Sequence, residues 1–256
     1  MFNWSALTLF LYIAMRMAGF LMMNPLFGRQ GVPNLFLGGF IGFMTLTAYS
    51  AYEGTVAVPG TLLELAVRLL RELGLGFVLS MVIRFFLYLT EEAGQIVDTQ
   101  MGLGMARTYD PTSRSNATPT ANILNMLMIL LFFTANGHVT LLRMMLTSGE
   151  VVPFGEASLG DLAVNRGVEL FAECCLLALK LCLPILGAEL LGQIGMGVLM
   201  KVIPQINVFA INIELKVIVG LFMLLMLMSP MSRFLLETES LMLGALRDLL
   251  ALCAPG

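Results

Sequence analysis

Charged residues sit inside the apolar runs of this chain, and that placement limits what it can fold into. The stretch 168–191 is the sharpest instance. It holds 12 Leu, Ile, Phe or Val residues, yet Glu173 and Lys180 lie centrally, Glu169 and Glu189 near the ends, and Pro184 inside. The apolar residues contribute roughly −5 kcal/mol to membrane insertion and the two central charges cost about +6, so an isolated helix in lipid is near break-even at best. Something other than lipid must receive those charges. Composition narrows the field further: of 256 residues, 58% are hydrophobic and 12% charged, against about 25% charged in an average soluble domain. A water-soluble enzyme domain, a disordered chain and a coiled coil are excluded. An integral membrane protein remains, or a chain that hides its surface in an assembly.

A spanning helix needs about 20 apolar residues with few or no charges. Residues 30–52 and 115–142 meet that without any charge, and Trp4–Met23 meets it with one, Arg16. A central Arg costs roughly 3 kcal/mol against about −0.5 for each strongly apolar residue, so this segment is predicted to insert. The run 62–90 is longer and less clean, with Glu64–Arg68 and Arg68–Glu72 at the i,i+4 spacing of helical ion pairs. Glu91, Gln95 and Asp98 then form a polar stripe at i, i+4, i+7, an amphipathic continuation that breaks near Gly102 and Gly104. Residues 107–120 carry two prolines among Ser, Thr, Asn and Asp, which is loop chemistry. A helix over 121–142, a second loop over 148–161, a helix that carries Gly192, Gly195 and Gly197 to Lys201, a break over 203–209, an apolar stretch over 217–232 and an amphipathic helix over 233–252 complete the pattern. The expected fold is all-α: membrane-associated helical hairpins with broken and amphipathic helices, in a single domain over 1–256. Residues 1–15 lack a basic n-region and no A-x-A site follows, so no cleaved signal peptide is expected.

Intramembrane charges are expensive and face a partner or a polar path. Here they are Arg16, Arg84, Glu173, Lys180, Glu189, Lys201, Glu214 and Lys216. Snorkelling explains any single one of them as readily; for the set, buried contacts with protein are the better account. Glu173 and Lys180 are seven apart and share a helix face. No catalytic constellation accompanies them. His138 is the only histidine, and the carboxylates Glu91, Glu92 and Asp98 have no nucleophile beside them. Cys174, Cys175, Cys182 and Cys253 form no CxxC, so no metal site or disulfide scaffold is indicated. No cofactor is implied, and scattered basic residues give no nucleic-acid patch. A secondary transporter shares the interior charges and Pro/Gly-interrupted helices, but the chain is short and shows no inverted repeat.

A resemblance sharpens this. Pro204-Gln205-x-Asn207-x-Phe209, followed by Lys216 in an apolar helix, resembles the signature of the FliR/SctT family of type III export gate proteins. Gly94-Gln-Ile-Val-Asp-x-Gln100-Met-Gly102, Asp110-Pro111 with Pro119, and the run from Phe132 to Asn136-Gly137-His138 are similar to the family in the same order. So are Arg16, Gly19 and Pro25 followed by Gly31-Val-Pro33. The chain departs from the family at Ala135-Asn136-Gly137, where many members carry a second Gly, which bears on the kink of that helix. The resemblance implies a core subunit of an export gate in the bacterial inner membrane and flagellar basal body. Its partners would be FliP-like and FliQ-like gate subunits and an FlhB-like protein, its substrates unfolded flagellar proteins, and its surroundings membrane lipid. Asp110-Pro111 and Asn136-Gly137-His138 favour the flagellar over the injectisome branch. In that family the subunits are helical hairpins wound into a helical hetero-oligomer, and one loop plugs the conduit at rest. The matching segment here is Tyr109, Asp110, Pro111, Thr112, Ser113, Arg114, Ser115, Asn116, Ala117 and Thr118.

Overall fold

A computed structural model describes residues 4–27, 33–52, 54, 56–103, 118–158, 160–202 and 208–254, with the backbone alone over 208–213. Among the described residues the regular structure is helical. The helices are α1 (Trp4–Met23), α2 (Asn34–Ala51), α3 (Leu62–Gln100), α4 (Pro119–Thr134), α5 (Gly137–Leu146), α6 (Ser148–Val151), α7 (Asp161–Val202), α8 (Val208–Met226) and α9 (Met228–Leu252). Four of them, α1, α2, α3 and α7, are long and apolar enough to cross a membrane, and six spans result if α4–α5 and α8–α9 each count as one bent span. The expected class, all-α with long apolar and broken helices, is what the chain adopts.

Local chemistry explains where these helices begin and end, and where the expected boundaries shift. At the start of α3 the Glu64 amide donates to Thr61 Oγ1 (3.2 Å) while the Glu64 carboxylate accepts from the Gly60 amide (3.0 Å), a close relative of the Thr-x-x-Glu capping box. The apolar run 115–142 is not one straight helix. It breaks at Asn136, which takes the left-handed conformation with φ 60°. Asn is the non-glycine residue that tolerates this region best, so the chain keeps its break at Ala135-Asn136-Gly137 with a single glycine. α7 runs 42 residues, through Pro184 and through Gly192, Gly195 and Gly197, to Val202; the break expected over 203–209 lies, up to residue 207, outside the described residues. Proline removes one backbone donor and each glycine costs about 1 kcal/mol of propensity. Neither ends a helix whose Leu181, Cys182 and Ile185 are buried on one side of it.

The chain divides into two compact units. The first comprises Met1–Phe85, Asn136–Ala172 and Ser240–Gly256, the second Phe86–Ala135 and Glu173–Glu239. In the second, Val97, Met101, Leu124, Met128, Phe132, Leu181, Ile185 and Leu235 supply buried apolar volume, and Gly220 leaves the space that Met101 fills.

In the first unit α1 packs on α2, and α1 crosses α3 at two glycines. A Cβ on Gly19 would strike the Leu73 carbonyl oxygen, and one on Gly76 would strike the Arg16 carbonyl oxygen. Only bare Cα positions allow so close a backbone approach. Beside that crossing lies Arg16, fully buried. Its Nε donates to Glu72 Oε2 (2.6 Å) and its Nη2 to Glu72 Oε1 (3.1 Å). Nη1 donates to the Val152 carbonyl (2.9 Å) and to Ser148 Oγ (3.2 Å). The Phe154 ring covers the guanidinium, with Cζ 4.3 Å from its centroid, a cation–π contact. Glu72 Oε1 also accepts from the Gly155 amide at 2.7 Å, and Gly155 has φ +87° with the Tyr12 ring against its Cα. Glu72 therefore pairs with Arg16, 56 positions away, and not with Arg68 as the i,i+4 spacing suggests. Arg68 pairs instead with Glu64, at 2.6 Å.

Removing one partner of a buried, hydrogen-bonded ion pair strands the other charge and costs about 3–5 kcal/mol. Arg16→Met and Glu72→Met should each destabilise the first unit by that order. The double variant should cost no more than either single one. Unfolding of the full chain in mild detergent, followed by helical circular dichroism, checks this; additive losses would refute the coupling.

Candidate functional site

The end of α3 and the start of α4 bracket the polar segment at 107–120, and side chains of the two helices meet there. Every helix leaves its first amides without intrahelical partners. At α4 the N-cap residue Thr118 has extended backbone (φ −84°, ψ 160°), its hydroxyl makes no capping bond, and Pro119 at the first position has no amide to satisfy. The first open donor is therefore the Thr120 amide. Asp98, on α3 and fully buried, meets it: Oδ2 accepts from the Thr120 amide at 2.8 Å, and Oδ1 accepts from the Thr120 hydroxyl. A carboxylate at a helix N-terminus is further favoured by the helix dipole. Asp98 thus serves as the cap that Thr118 does not provide, from another helix.

Gly94 lies one turn before Asp98 on the same face of α3. A Cβ there would collide with the backbone of Ala121. The bare glycine brings α4 close, and the carboxylate then holds it. One turn beyond, Met101 is buried, and Gly102 has φ +80°, which ends α3 as a left-handed residue does. The spacing Gly94…Asp98…Gly102 is the logic of approach, clamp and stop. The polar stripe read from the sequence splits here. Gln95 Nε2 lies 3.5 Å from Glu91 Oε1 in a half-buried position, while Asp98 turns inward to α4.

The predicted site residues fall in several places. Arg16 is the centre of the buried node in the first unit. Arg84, half-buried on α3, donates from Nη2 to the Met23 carbonyl at 3.2 Å and so satisfies an orphan acceptor at the end of α1. Glu189 is buried on α7, and the Lys216 ammonium of α8 acts on it electrostatically. Its Oε1 makes no hydrogen bond among the described residues. Glu173, Lys180, Lys201 and Glu214 are exposed. Of the polar segment, Thr118 is buried; Tyr109, Asp110, Pro111, Thr112, Ser113, Arg114, Ser115, Asn116 and Ala117 lie outside the described residues, as do Pro204, Gln205 and Asn207. Phe209 belongs to the backbone of α8. Two residues that matter were missed. Glu72 had a plausible neighbour in Arg68, and Thr120 was assigned to the loop, although Pro119 at a first helical position signals the start of α4.

Comparison with known proteins follows the same outline. A family model described as "Bacterial export proteins, family 1" matches residues 7–240. The chain is similar to the flagellar biosynthetic protein FliR of Bacillus subtilis, 26% identical over 253 residues and covering 95% of each chain. It is similar to FliR of Escherichia coli K12, 28% identical over 249 residues, covering 96% of this chain and 94% of the relative. The Yop proteins translocation protein T of Yersinia pestis is 27% identical over 232 residues, covering 88% of each. With the matched region spanning α1 to the first half of α9, the motifs around Arg16, Gly94–Gly102 and Asn136 included, the chain belongs to the bacterial export proteins, family 1.

Proposed function

We propose that this chain is a subunit of a flagellar type III protein export gate in the bacterial inner membrane. In that gate it helps to form and close the conduit for unfolded flagellar proteins. Family membership and the FliR relatives support the export role. The observation that carries the closing role is the Asp98–Thr120 clamp with the Gly94–Ala121 approach. Together they fix the ends of α3 and α4 on either side of 104–117. A segment with Pro111 and mostly polar side chains carries little apolar surface, so displacing it costs little burial. Its two ends, held together, need not move when it does. Tyr109–Thr118 is the plug in this reading.

The exposed faces support an assembly. On α2 only Met44, Thr45 and Ala48 are buried, while Leu35 is 90% exposed. Glu173 and Lys180 stand exposed on α7 among exposed Leu176, Leu179 and Leu183. A helix that displays both charge and large apolar side chains suits neither lipid nor water. Sister subunits of FliP-like and FliQ-like type, an FlhB-like neighbour and a polar lumen accommodate both. A secondary transporter accounts for the charges but not for family membership.

Purification in mild detergent with mass determination tests the assembly: co-purifying FliP- and FliQ-like subunits in one stable particle are expected, and a monomer that moves a solute would refute the gate. Replacing residues 109–117 with a short Gly-Ser linker should raise small-molecule leakage through the assembled gate; unchanged permeability would rule out the plug. Asp98→Ala strands the Thr120 donors and costs about 1.5–3 kcal/mol per charged hydrogen bond lost. It should raise leakage with the segment intact, and a tight gate in that variant would show that the clamp is irrelevant to closure.

A further inference from the structure

Within the first unit, α5 and the end of α9 form an open pocket of about 460 Å³, a size typical of small-ligand sites. Two guanidinium-bearing side chains from different helices, Arg143 and Arg247, line it with the hydroxyl-bearing Thr140 and Thr147. No carboxylate lines it, and neither arginine takes part in an ion pair among the described residues. Thr140 and Thr147 stand at −3 and +4 from Arg143, so all three share one face of α5 and its continuation. Each hydroxyl donates to a backbone carbonyl, Thr140 to Asn136 (3.4 Å) and Thr147 to Arg143 (3.1 Å). Asn136 and the apolar Val139, Met144, Val151 and Leu250 complete the wall.

Two like charges aimed into one pocket repel each other unless an anion joins them. Guanidinium is the group that best matches phosphate oxygens, by paired N–H donors and by charge. The apolar wall beside the arginines suits the glycerol and first methylenes that follow a lipid phosphate, and basic pockets between membrane helices take anionic headgroups in this way. We propose that the pocket formed by Arg143, Arg247, Thr140 and Thr147 binds a phosphate group, carried by the headgroup of an anionic phospholipid or free in solution. The arginines supply the charge and the apolar wall receives the chain. This site is separate from the clamp at Asp98 and does not depend on the gate reading.

The test uses the full chain in mild detergent and native mass spectrometry with added phosphatidylglycerol or phosphatidylcholine. Phosphatidylglycerol should be retained about thirtyfold more than phosphatidylcholine, since each of the two arginines near an anionic headgroup contributes on the order of 1 kcal/mol. The double variant R143Q/R247Q should lose that preference, while R143K/R247K should keep part of it. Both arginines are exposed, so helix content and elution volume should match the unsubstituted chain. Inorganic phosphate separates the sources: displacement of phosphatidylglycerol at millimolar phosphate identifies free phosphate as the ligand, and no displacement identifies the lipid. Equal retention of the two lipids by the unsubstituted chain, or a preference that survives R143Q/R247Q, would overturn the site.

Discussion

The first unit depends on a charge that apolar surroundings would otherwise reject. Arg16 sits in the middle of an apolar helix with no water-exposed surface. Its stability there comes from four donated hydrogen bonds and a ring face. Those partners come from three parts of the chain: Glu72 from α3, Ser148 from α6, Val152 and Phe154 from the loop that follows. A buried guanidinium needs nearly all its donors met, so it fixes where each of these segments goes. The glycines at the α1–α3 crossing belong to the same solution. Without Gly19 and Gly76 the two backbones stand too far apart for Glu72 to reach Arg16 with both oxygens.

The clamp at Asp98 repeats this device on a smaller scale in the second unit. There a buried carboxylate satisfies the first open donor of a helix instead of a guanidinium, and a glycine one turn away again sets the backbone distance. In both cases a costly polar group is held inside an apolar helix because a specific long-range partner exists. Such groups specify one arrangement: any shift of α4 along α3 would leave Asp98 buried and unpaired, at a cost of several kcal/mol. Apolar contacts alone do not discriminate so sharply between neighbouring registers.

Much of this was legible in the sequence, and the limits have a physical cause. The span Trp4–Met23, the extension of α3 beyond its apolar part and its end near Gly102 follow from periodicity and local turn chemistry, which are short-range. The Arg16–Glu72 pair was not legible, because spacing favours a partner four residues away and Glu72 has one in Arg68. Tertiary proximity decided between them, with the Gly155 amide adding a third partner to Glu72. The apolar run 115–142 gave no sign of the break at Asn136, which was signalled by the Asn-Gly dipeptide and by the resemblance to the family. At the candidate site, Gly94, Asp98 and Gly102 stood out as a motif, but the role of Asp98 required Thr120, whose hydrophilic neighbourhood disguised the start of a helix.

These two kinds of buried polar group also explain how a chain with so little charge can be selective about what moves. Burial of Arg16 with Glu72 and of Asp98 with Thr120 commits their surroundings to one packing, and those parts are rigid for the same reason that they are stable. Other charges stand at the surface: Lys180, which forms no ion pair among the described residues, lies on α7 among apolar side chains that are equally uncovered. In the gate proposed above this division matters, because the walls of a conduit must stay assembled while a polypeptide passes. Asp98 fixes the end of α3 to the start of α4, so in that proposal the cost of opening is separate from the cost of unfolding.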